Sequence, residues 1–323
     1  MKAQILYTPD EVDRNRLRAR LDPTISLRTG RPVQTDTQLL IGGRPRPVDL
    51  TTPDELWGLV IPYAGLPVGT RRLLMADFPT LPVYNLHHNA PPVAEMALAL
   101  LLGVTRYLIP MHRKLRAFDW RARYAPDPAF TLQGKTVLIL GHGAIGRRLT
   151  APLRALGASV IATRRRVAAP VDVDGATIYP AAALDTLLPQ AQAVIVAVPH
   201  TEETDGLLDA RRLSLLPRGA ALVNIARASV IDEDALYEAL RSGQLCGAGL
   251  DVWYRYPRGV PGIADTPPCD RPLWELDNVL FSPHRAGHVQ DTEALRMDAL
   301  ADTLNALAHG KSPEGQVDVA AGY

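Results

Sequence analysis

Residues 132–146 read Leu-Gln-Gly-Lys-Thr-Val-Leu-Ile-Leu-Gly-His-Gly-Ala-Ile-Gly. The apolar run from Thr136 to Leu140 predicts a buried strand, and the glycines after it predict a tight turn into a helix. Gly141 would permit the turn, Gly143 would let the backbone approach a pyrophosphate, and Gly146 would let the helix pack closely on the strand. We therefore predict a dinucleotide-binding loop, with contacts from Gly141, Gly143, Ala144, Ile145 and Gly146.

The chain on the carboxyl side of this loop alternates between strand and helix patterns. Such alternation predicts a parallel sheet with right-handed crossovers, because each strand must be returned across a face of the sheet. The fold class is thus a doubly wound α/β domain. After the strand at Thr136 to Leu140, further strands are expected at Ser159 to Ala162, Ala193 to Val198, Ala220 to Asn224 and Ala248 to Val252. The helices between them are expected at Gly146 to Leu156, Leu184 to Leu188 and Glu233 to Ser242.

The amino-terminal part of the chain predicts a second α/β region, because short apolar runs at Gln4 to Tyr7, Gly58 to Pro62 and Leu81 to Tyr84 alternate with polar stretches. A long helix is expected from Val93 to Tyr107, since prolines in a first turn followed by strong helix formers mark a helix start. A last amphipathic helix, Asp291 to His309, suits a return to the first domain. We predict a first domain segment at 1–103, a dinucleotide-binding Rossmann domain at 104–289, and a returning helix with a tail at 290–323.

Composition excludes several classes of function. The 323 residues carry 35 basic and 34 acidic side chains, a formal charge of +1, so no global attraction to nucleic acid or an anionic membrane is expected. Cys246 and Cys269 are the only cysteines, too few for a structural zinc set, and no His/Asp/Glu spacing indicates a metal site. No signal peptide or span of ~20 apolar residues is evident. We expect a soluble cytoplasmic protein without a metal.

The strand after the glycine loop bears on the choice of dinucleotide. An acidic residue about 20 positions beyond the first glycine usually accepts hydrogen bonds from the ribose of NAD. Here the strand ends in Thr163-Arg164-Arg165-Arg166. Guanidinium groups can bind a 2′-phosphate bidentately, so Thr163, Arg164 and Arg165 are predicted to contact NADP. The alternative is that the arginines form a solvated turn and that NAD binds.

Six ordered motifs between about Tyr63 and Gly287 resemble the D-isomer-specific 2-hydroxyacid dehydrogenase family. They are Tyr63-Ala64-Gly65, Val93-Ala94-Glu95, the glycine loop, Val198-Pro199-His200-Thr201 with Thr204, Val223-Asn224-Ile225-Ala226-Arg227 with Gly249-Leu250-Asp251-Val252, and residues 278–287. The resemblance implies a Rossmann cofactor domain inserted into a smaller, discontinuous, flavodoxin-like substrate domain. It also implies a homodimer formed through the cofactor domain.

The resemblance assigns roles to individual residues. Reduction of a 2-keto acid places negative charge on the carbonyl oxygen, so a fixed cation and an acid near neutral pKa would stabilise the transition state. Arg227 is expected to hold the substrate carboxylate and carbonyl oxygen, and His284 to donate the proton. The backbone amides around Ala64 and Gly65 are also expected to bind the substrate carboxylate. Further cofactor contacts are expected from Val198, Pro199, Thr204, Ile225, Ala226, Asp251, His284 and Gly287.

One position departs from the family pattern. Most members have a glutamate that pairs with the histidine, immediately before a proline, whereas this chain has Tyr256 before Pro257. A carboxylate raises the pKa of a neighbouring histidine, whereas a neutral phenol can only hydrogen-bond to the ring. His284 should therefore keep its proton only to a lower pH. The formate-oxidising branch of the family has a glutamine there, so the carboxylate is not indispensable.

The sequence leaves three functions open. The first is an NADP-preferring reductase of glyoxylate or hydroxypyruvate. The second is a dehydrogenase of phosphoglycerate or another small anion. The third is a dinucleotide-sensing corepressor with little turnover, favoured by the missing glutamate and opposed by Arg227 and His284. His87 and His88 lie where the hinge and substrate cleft meet in relatives, and they are candidate substrate contacts.

Overall fold

The computed structural model describes residues 1–125, 128–259 and 262–323, which divide into two compact units. The first unit comprises Met1–Asn89 and His288–Tyr323, and the second comprises Ala90–Gly287. The second unit is therefore inserted into the sequence of the first. Both units contain α-helices and mainly parallel sheets, so the predicted α/β class is confirmed.

The amino-terminal segment of the first unit forms a five-stranded parallel sheet. Its strand order is β2-β1-β3-β4-β5, the order of flavodoxin-like doubly wound sheets. The strands are β1 (Lys2–Ile5), β2 (Ser26–Thr29), β3 (Leu39–Ile41), β4 (Gly58–Ile61) and β5 (Val83–Asn85). The helices are α1 (Glu11–Arg20), α2 (Pro47–Thr51) and α3 (Val68–Asp77). Because β3 and β4 are buried on both faces, they read as continuous apolar runs.

The second unit is built on an eight-stranded sheet. Its strands are β6 (Thr136–Leu140), β7 (Ser159–Arg164), β8 (Val171–Val173), β9 (Ala176–Pro180), β10 (Ala193–Val196), β11 (Ala220–Asn224), β12 (Leu245–Leu250) and β13 (Val279–Phe281). The order is β13-β12-β11-β10-β6-β7-β9-β8, with only β8 antiparallel to its neighbour among the described pairs. The strand connections reverse direction between β6 and β10, the switch point where doubly wound sheets bind ligands.

Helices cover both faces of this sheet. They are α4 (Ala90–Thr105), α5 (Leu108–Arg116), α6 (Ala144–Ala155), α7 (Leu184–Leu187), α8 (Ala210–Leu215) and α9 (Glu233–Arg241). Two apolar clusters fill the space between helices and sheet, one on each face. Aspartate side chains cap α8 and α9: Asp209 accepts from Arg212 N (2.7 Å) and Asp232 from Ala235 N (2.8 Å). Local capping thus fixes where these helices begin.

The position of α4 corrects the predicted domain boundary at residue 103. Its apolar side chains, Val93, Ala97 and Leu101 among them, belong to the core of the second unit. A Cβ atom at Gly249 would lie 2.8 Å from Leu100 Cβ, so glycine on β12 lets the helix pack directly on the sheet. The division therefore falls before α4, between residues 89 and 90, and not within it. The second division falls at 287/288 instead of the expected 289/290.

The chain ends in the first unit with α10 (Thr292–Ala308). This helix packs its buried residues, including Met297 and Leu304, on the same core as Ile5 and Leu17. Arg16 on α1 forms two hydrogen bonds to the Asp298 carboxylate, at 2.7 and 2.6 Å. In the described chain, no single helix has the length and apolar character to cross a membrane; α4 and α5 pass only as a pair bent by 64°.

Candidate active site

The glycine loop joins β6 to α6, and two of its glycines are sterically required. Gly141 has φ +93°, and a Cβ there would lie 2.7 Å from the Ala197 carbonyl oxygen. A Cβ at Gly146 would lie 2.3 Å from the Gly141 carbonyl oxygen, so only glycine lets α6 start this close to the strand. Gly143 is the residue that caps α6, and the space around its missing Cβ is open to 4 Å. The loop therefore presents the first turn of α6, starting with Ala144 and Ile145, beside an open space.

That arrangement fits a dinucleotide pyrophosphate. Backbone N–H groups in the first turn of a helix have no partner within the helix and favour an anion. An open position at Gly143 allows the anion to approach the backbone closely. Gly141, Gly143, Ala144, Ile145 and Gly146 are thus placed together as the sequence predicts, while their contacts to a cofactor stay predictions.

The predicted 2′-phosphate contacts lie beside this loop. Thr163 on β7 pairs with Leu140, and its carbonyl oxygen accepts a hydrogen bond from Gly141 N (3.1 Å). Thr163 is buried, whereas Arg164 ends the strand with an exposed side chain. Arg165 lies 3.9 Å from Glu203, which reduces its free positive charge. Arg164 is consequently the arginine best placed to meet an anion at the edge of the loop.

His142, between the first two glycines, was not predicted as a site residue. The side chain is 2% exposed, and its Nε2 lies 3.0 Å from Thr150 Oγ1 on α6. Burial lowers the pKa of His142, and the positive charges of Arg147 and Arg164 lower it further. His142 is therefore neutral, and its hydrogen bond to Thr150 connects the glycine loop to α6. The only signal in the sequence was its position between two glycines.

The segment after β10 forms a tight turn next to the glycine loop. Thr204 Oγ1 donates to the Pro199 carbonyl oxygen (2.7 Å) and accepts from Thr201 N (2.8 Å). Val198 lies close to Gly141, since a Cβ on that glycine would be 3.1 Å from Val198 Cγ1. Val198, Pro199 and Thr204 are thus brought to the switch point, where the sequence predicts cofactor contacts.

Arg227 is presented by a turn that Asn224 organises at the end of β11. The buried Asn224 side chain accepts from Ala226 N (3.0 Å) and donates to the Arg227 carbonyl oxygen (3.0 Å). Ile225 and Ala226 are buried inside the turn, while the Arg227 side chain is exposed and donates to the Ala226 carbonyl oxygen (2.6 Å). Asn224 belongs to one of the motifs that resemble the family, but its positioning role follows only from these contacts.

A buried carboxylate holds the loop that carries His284. Asp251, 1% exposed and just beyond β12, accepts from Arg285 N (2.9 Å) and Ala286 N (3.0 Å), and from the Ser282 hydroxyl. The Ser282 carbonyl oxygen in turn accepts from Trp253 Nε1 (2.8 Å). Since β12 and β13 are adjacent and parallel, their ends bring these residues together. The network fixes the backbone on both sides of His284, and Gly287 follows directly.

The backbone at His284 is strained by this arrangement. His284 has φ +57°, a left-handed conformation that residues other than glycine seldom adopt. Such conformations persist only where the surroundings impose them, and they are concentrated at functional sites. The three hydrogen bonds to Asp251 supply that constraint, so the ring is exposed in a defined direction.

Tyr256 contacts the histidine at the position where most family members have glutamate. Its Oη lies 2.8 Å from His284 Nδ1 and accepts a hydrogen bond from Trp253 N (3.2 Å). Burial raises the pKa of Tyr256, and the nearby charge of Arg227 opposes this. The phenol is therefore neutral near pH 7. Tyr256 therefore engages the Nδ1 side of the His284 ring.

The remaining predicted residues belong to the first unit. Ala64 and Gly65 follow β4, and Gly65 has φ +84°, which only glycine adopts readily. His87 is exposed and His88 is buried just beyond β5. Among the described residues, no group of three or more His, Cys, Asp or Glu side chains could hold a metal ion.

Comparison with known proteins establishes the family. Residues 98–286 match the model of the D-isomer specific 2-hydroxyacid dehydrogenase NAD-binding domain. A glyoxylate reductase of Thermococcus onnurineus (strain NA1) is 33% identical over 236 residues, covering 70% of this chain and 67% of the relative. A D-3-phosphoglycerate dehydrogenase of Mycobacterium leprae (strain TN) is 35% identical over 255 residues, covering 78% of this chain but 44% of the relative.

A solved structure resembles nearly the whole chain. A D-isomer specific 2-hydroxyacid dehydrogenase from Xanthobacter autotrophicus Py2, in complex with NADPH and MES, has a TM-score of 0.78 and 27% identity, covering 99% of each chain. The chain belongs to the D-isomer specific 2-hydroxyacid dehydrogenase family. Its class is that of the NAD(P)-dependent oxidoreductases acting on CH–OH groups, and the family resemblance predicted from the sequence is confirmed.

Proposed function

We propose that this protein is an NADPH-dependent reductase of small 2-keto acids, of the glyoxylate or hydroxypyruvate type. The observation that carries the proposal is the grouping of Arg227, Tyr256 and His284 in the second unit, which also holds the glycine loop. The glyoxylate reductase of Thermococcus onnurineus supports this substrate class. A fixed cation and a proton donor are the two groups that reduction of a keto acid requires.

Each part of the reaction would be carried out by a different group of residues. The first turn of α6 would hold the pyrophosphate of the cofactor, which supplies the hydride when bound. Arg227 would bind the substrate carboxylate and stabilise negative charge on the carbonyl oxygen. His284 Nε2 would donate a proton to that oxygen, and Tyr256 would hold Nδ1 and fix the orientation of the ring. In the oxidative direction His284 would take the proton back.

The preference for NADP is part of this proposal. Arg164 is exposed at the end of β7, next to the loop expected to bind the pyrophosphate. No carboxylate occurs among residues 159–166 to repel a 2′-phosphate. The structure from Xanthobacter autotrophicus Py2 was determined with NADPH, which supports the same cofactor here. NAD is the alternative cofactor, and the relative affinities for NADPH and NADH decide between them.

Oxidation of NADPH and of NADH against a panel of 2-keto acids tests the function. We expect turnover with glyoxylate or hydroxypyruvate, faster with NADPH, and a strongly raised KM for the keto acid in Arg227→Ala. Tight NADPH binding without turnover of any acid would favour the corepressor alternative, which the missing glutamate motivates. Turnover confined to phosphohydroxypyruvate would favour the phosphoglycerate dehydrogenase alternative, motivated by the Mycobacterium leprae relative.

A homodimer formed through the second unit is also proposed. Apolar side chains are exposed along residues 108–124 of this unit, and such patches mark interaction surfaces. They are Leu108, Leu115, Phe118, Trp120 and Tyr124, of which Phe118 is 89% exposed. Light scattering should give a dimer for the wild type and a monomer for Phe118→Ser with Trp120→Ser. Trp274→Ser, at an exposed tryptophan outside residues 108–124, is the matched control.

Cytoplasmic localisation, and the lack of nucleic-acid or membrane partners, stay predictions.

A further inference from the structure

Trp253 lies beside the loop of residues 282–287 that carries His284. Its side chain is 7% exposed, and its ring stacks on that of Phe281, with 4.7 Å between the ring centroids and 9° between the planes. Phe281 ends β13, which runs parallel to β12, so the two rings meet where neighbouring strands end. A near-parallel aromatic pair fixes the plane of each ring. The indole of Trp253 is therefore held at the start of this loop.

The polar atom of the indole contacts the backbone of the same loop. Trp253 Nε1 donates a hydrogen bond to the Ser282 carbonyl oxygen (2.8 Å), and both groups are buried. An indole has one polar atom, and this atom can only donate. A buried hydrogen bond is stronger than an exposed one, because its surroundings screen it less. This single contact therefore fixes the orientation of the Ser282 carbonyl group.

The Ser282 carbonyl group also forms the turn that leads into His284. Its oxygen accepts a second hydrogen bond, from His284 N (3.0 Å), which closes a three-residue turn around Pro283. The proline ring restricts its own φ to about −65°, close to the value that such a turn needs. Once the Ser282 carbonyl is fixed, little freedom remains in the backbone between it and His284. Trp253 thus acts on His284 through the Ser282 peptide group.

Asp251 cannot supply this contact, although it holds the rest of the loop. Its carboxylate accepts from the Ser282 hydroxyl and from the two backbone N–H groups that follow His284. A carboxylate and a carbonyl oxygen are both acceptors, so Asp251 cannot bind the Ser282 carbonyl. A donor must come from elsewhere, and the Trp253 indole provides it. The two side chains therefore have complementary roles on the two sides of His284.

The main chain of Trp253 contacts the partner of the His284 ring. Trp253 N donates to Tyr256 Oη (3.2 Å), and the same Oη lies 2.8 Å from His284 Nδ1. The rings of Tyr256 and His284 are 5.5 Å apart at their centroids and inclined by 51°. Trp253 is thus bonded both to the turn before His284 and to the phenol beside its ring. A shift of Trp253 would move both supports of the imidazole together.

We propose that Trp253 is a positioning residue for proton transfer by His284, acting through the Ser282 carbonyl group and Tyr256. The inference rests on the proposed keto-acid reductase function and extends it to a residue that the family motifs did not single out. A proton donor must lie within hydrogen-bond reach of the oxygen that it protonates, so a small displacement of the ring lowers the rate. Loss of the indole N–H should therefore lower kcat without weakening the binding of keto acid or cofactor.

Trp253→Phe tests the role of the indole N–H. Phenylalanine keeps an aromatic ring to stack on Phe281 but has no donor for the Ser282 carbonyl. We expect kcat for the preferred 2-keto acid to fall about fivefold to tenfold, the value of one hydrogen bond. The keto-acid KM and the NADPH affinity should stay within about twofold of the wild type. Steady-state kinetics and an NADPH titration measure these quantities.

A double variant separates positioning from a general structural role. If Trp253 acts through the imidazole, it has nothing to position once His284 is replaced. Trp253→Phe should therefore change the residual kcat of His284→Asn by less than about twofold. A general loss of structure would instead lower kcat by the same factor in both backgrounds.

Tyr107→Phe is the matched control. It also deletes one donor to a backbone carbonyl of the same unit, since Tyr107 Oη donates to the Cys246 carbonyl oxygen (3.0 Å) near the opposite end of β12. It should leave kcat unchanged. Thermal melting establishes that each variant folds. If Trp253→Phe does not fold, benzothienylalanine is placed at position 253, because it keeps the shape of the indole and has sulfur in place of the Nε1–H group.

Three results would overturn the proposal while the wild type is active. They are a kcat within about twofold of the wild type in the folded variant, an equal loss of kcat in the His284→Asn background, and a loss confined to the keto-acid KM, which would assign Trp253 to substrate binding. Failure of the wild type to reduce any 2-keto acid overturns the proposed function, and this inference with it.

Discussion

The glycine loop at residues 141–146 and the histidine loop at residues 282–287 both follow parallel strands of the second unit, but they are held in different ways. The glycine loop is fixed by the absence of side chains: Cβ atoms at Gly141 and Gly146 would lie 2.7 and 2.3 Å from carbonyl oxygens. The histidine loop is fixed by side chains far away in sequence, above all Asp251 and Tyr256. One loop depends on close backbone approaches that only glycine allows, and the other on side-chain hydrogen bonds.

This difference matches the two proposed roles of the loops, which are cofactor binding and proton transfer. The glycine loop needs only a backbone shape that an anion can approach, and the glycines that allow this shape are close together in the sequence. The histidine loop must hold the His284 ring in one orientation, so it needs hydrogen-bond partners around that residue. Mutations in the first loop should change stability or cofactor affinity. Mutations in the second should change turnover or its dependence on pH.

The largest effect is expected at His284. His284→Asn keeps a residue type that tolerates the left-handed backbone of this position but removes the acid, so kcat should fall by about 100-fold or more. NADPH affinity should be preserved. Steady-state kinetics and a fluorescence titration measure the two quantities, with His309→Asn as the control. Near-normal kcat on every keto acid tested would show that His284 is not the proton donor.

The next largest effect is expected from a pair of glycine variants. Gly146→Ala places a Cβ 2.3 Å from the Gly141 carbonyl oxygen, so it should destabilise the fold by about 1 to 3 kcal/mol. Gly143→Ala meets no atom within 4 Å and should leave the melting temperature unchanged while weakening NADPH. Thermal melts and NADPH titrations of both variants make the comparison. Full NADPH affinity in Gly143→Ala would argue against a pyrophosphate beside this residue.

A smaller effect is expected at the end of β7. Arg164→Asp should weaken NADPH about tenfold, the value of one charge-assisted contact to phosphate, and leave NADH nearly unchanged. Arg166→Asp makes the same change of charge two residues further along the chain and should have a smaller effect. Isothermal titration with both cofactors measures the affinities. Equal losses for NADPH and NADH, or tighter NADH than NADPH in the wild type, would contradict the assignment.

The smallest effect concerns the pH dependence of reduction. The active form carries protonated His284, so the reductive rate is high below the pKa of His284 and falls as pH rises through it. Tyr256→Glu puts a carboxylate where the phenol lies 2.8 Å from Nδ1, which should raise that pKa and move the alkaline limb up by about one unit. The measurement is kcat against pH at saturating NADPH, with Tyr256→Phe as the uncharged control. An unmoved or acid-shifted limb in Tyr256→Glu would contradict the assignment of this limb to His284 beside residue 256.

Much of the second unit could be predicted from its sequence. The strands Thr136–Leu140 and Ala220–Asn224 have the bounds that their apolar runs predict. The hairpin of β8 and β9 was missed, because Val171–Val173 is a short, largely exposed edge strand without a buried apolar run. The boundary at residue 103 was wrong because helix periodicity shows that a face is buried but not which sheet buries it.

The sequence by itself determined the order of strands and helices, the glycine loop and the absence of a glutamate at Tyr256, since these depend on consecutive residues or on one residue type. Only the tertiary structure decided that the Tyr256 phenol meets His284, that Asp251 holds the histidine loop, and that the Trp253 indole meets the Ser282 carbonyl. The reason is physical. Strand and turn preferences arise from neighbouring residues, whereas a hydrogen bond across 28 or more residues exists only once the strands have brought its partners together.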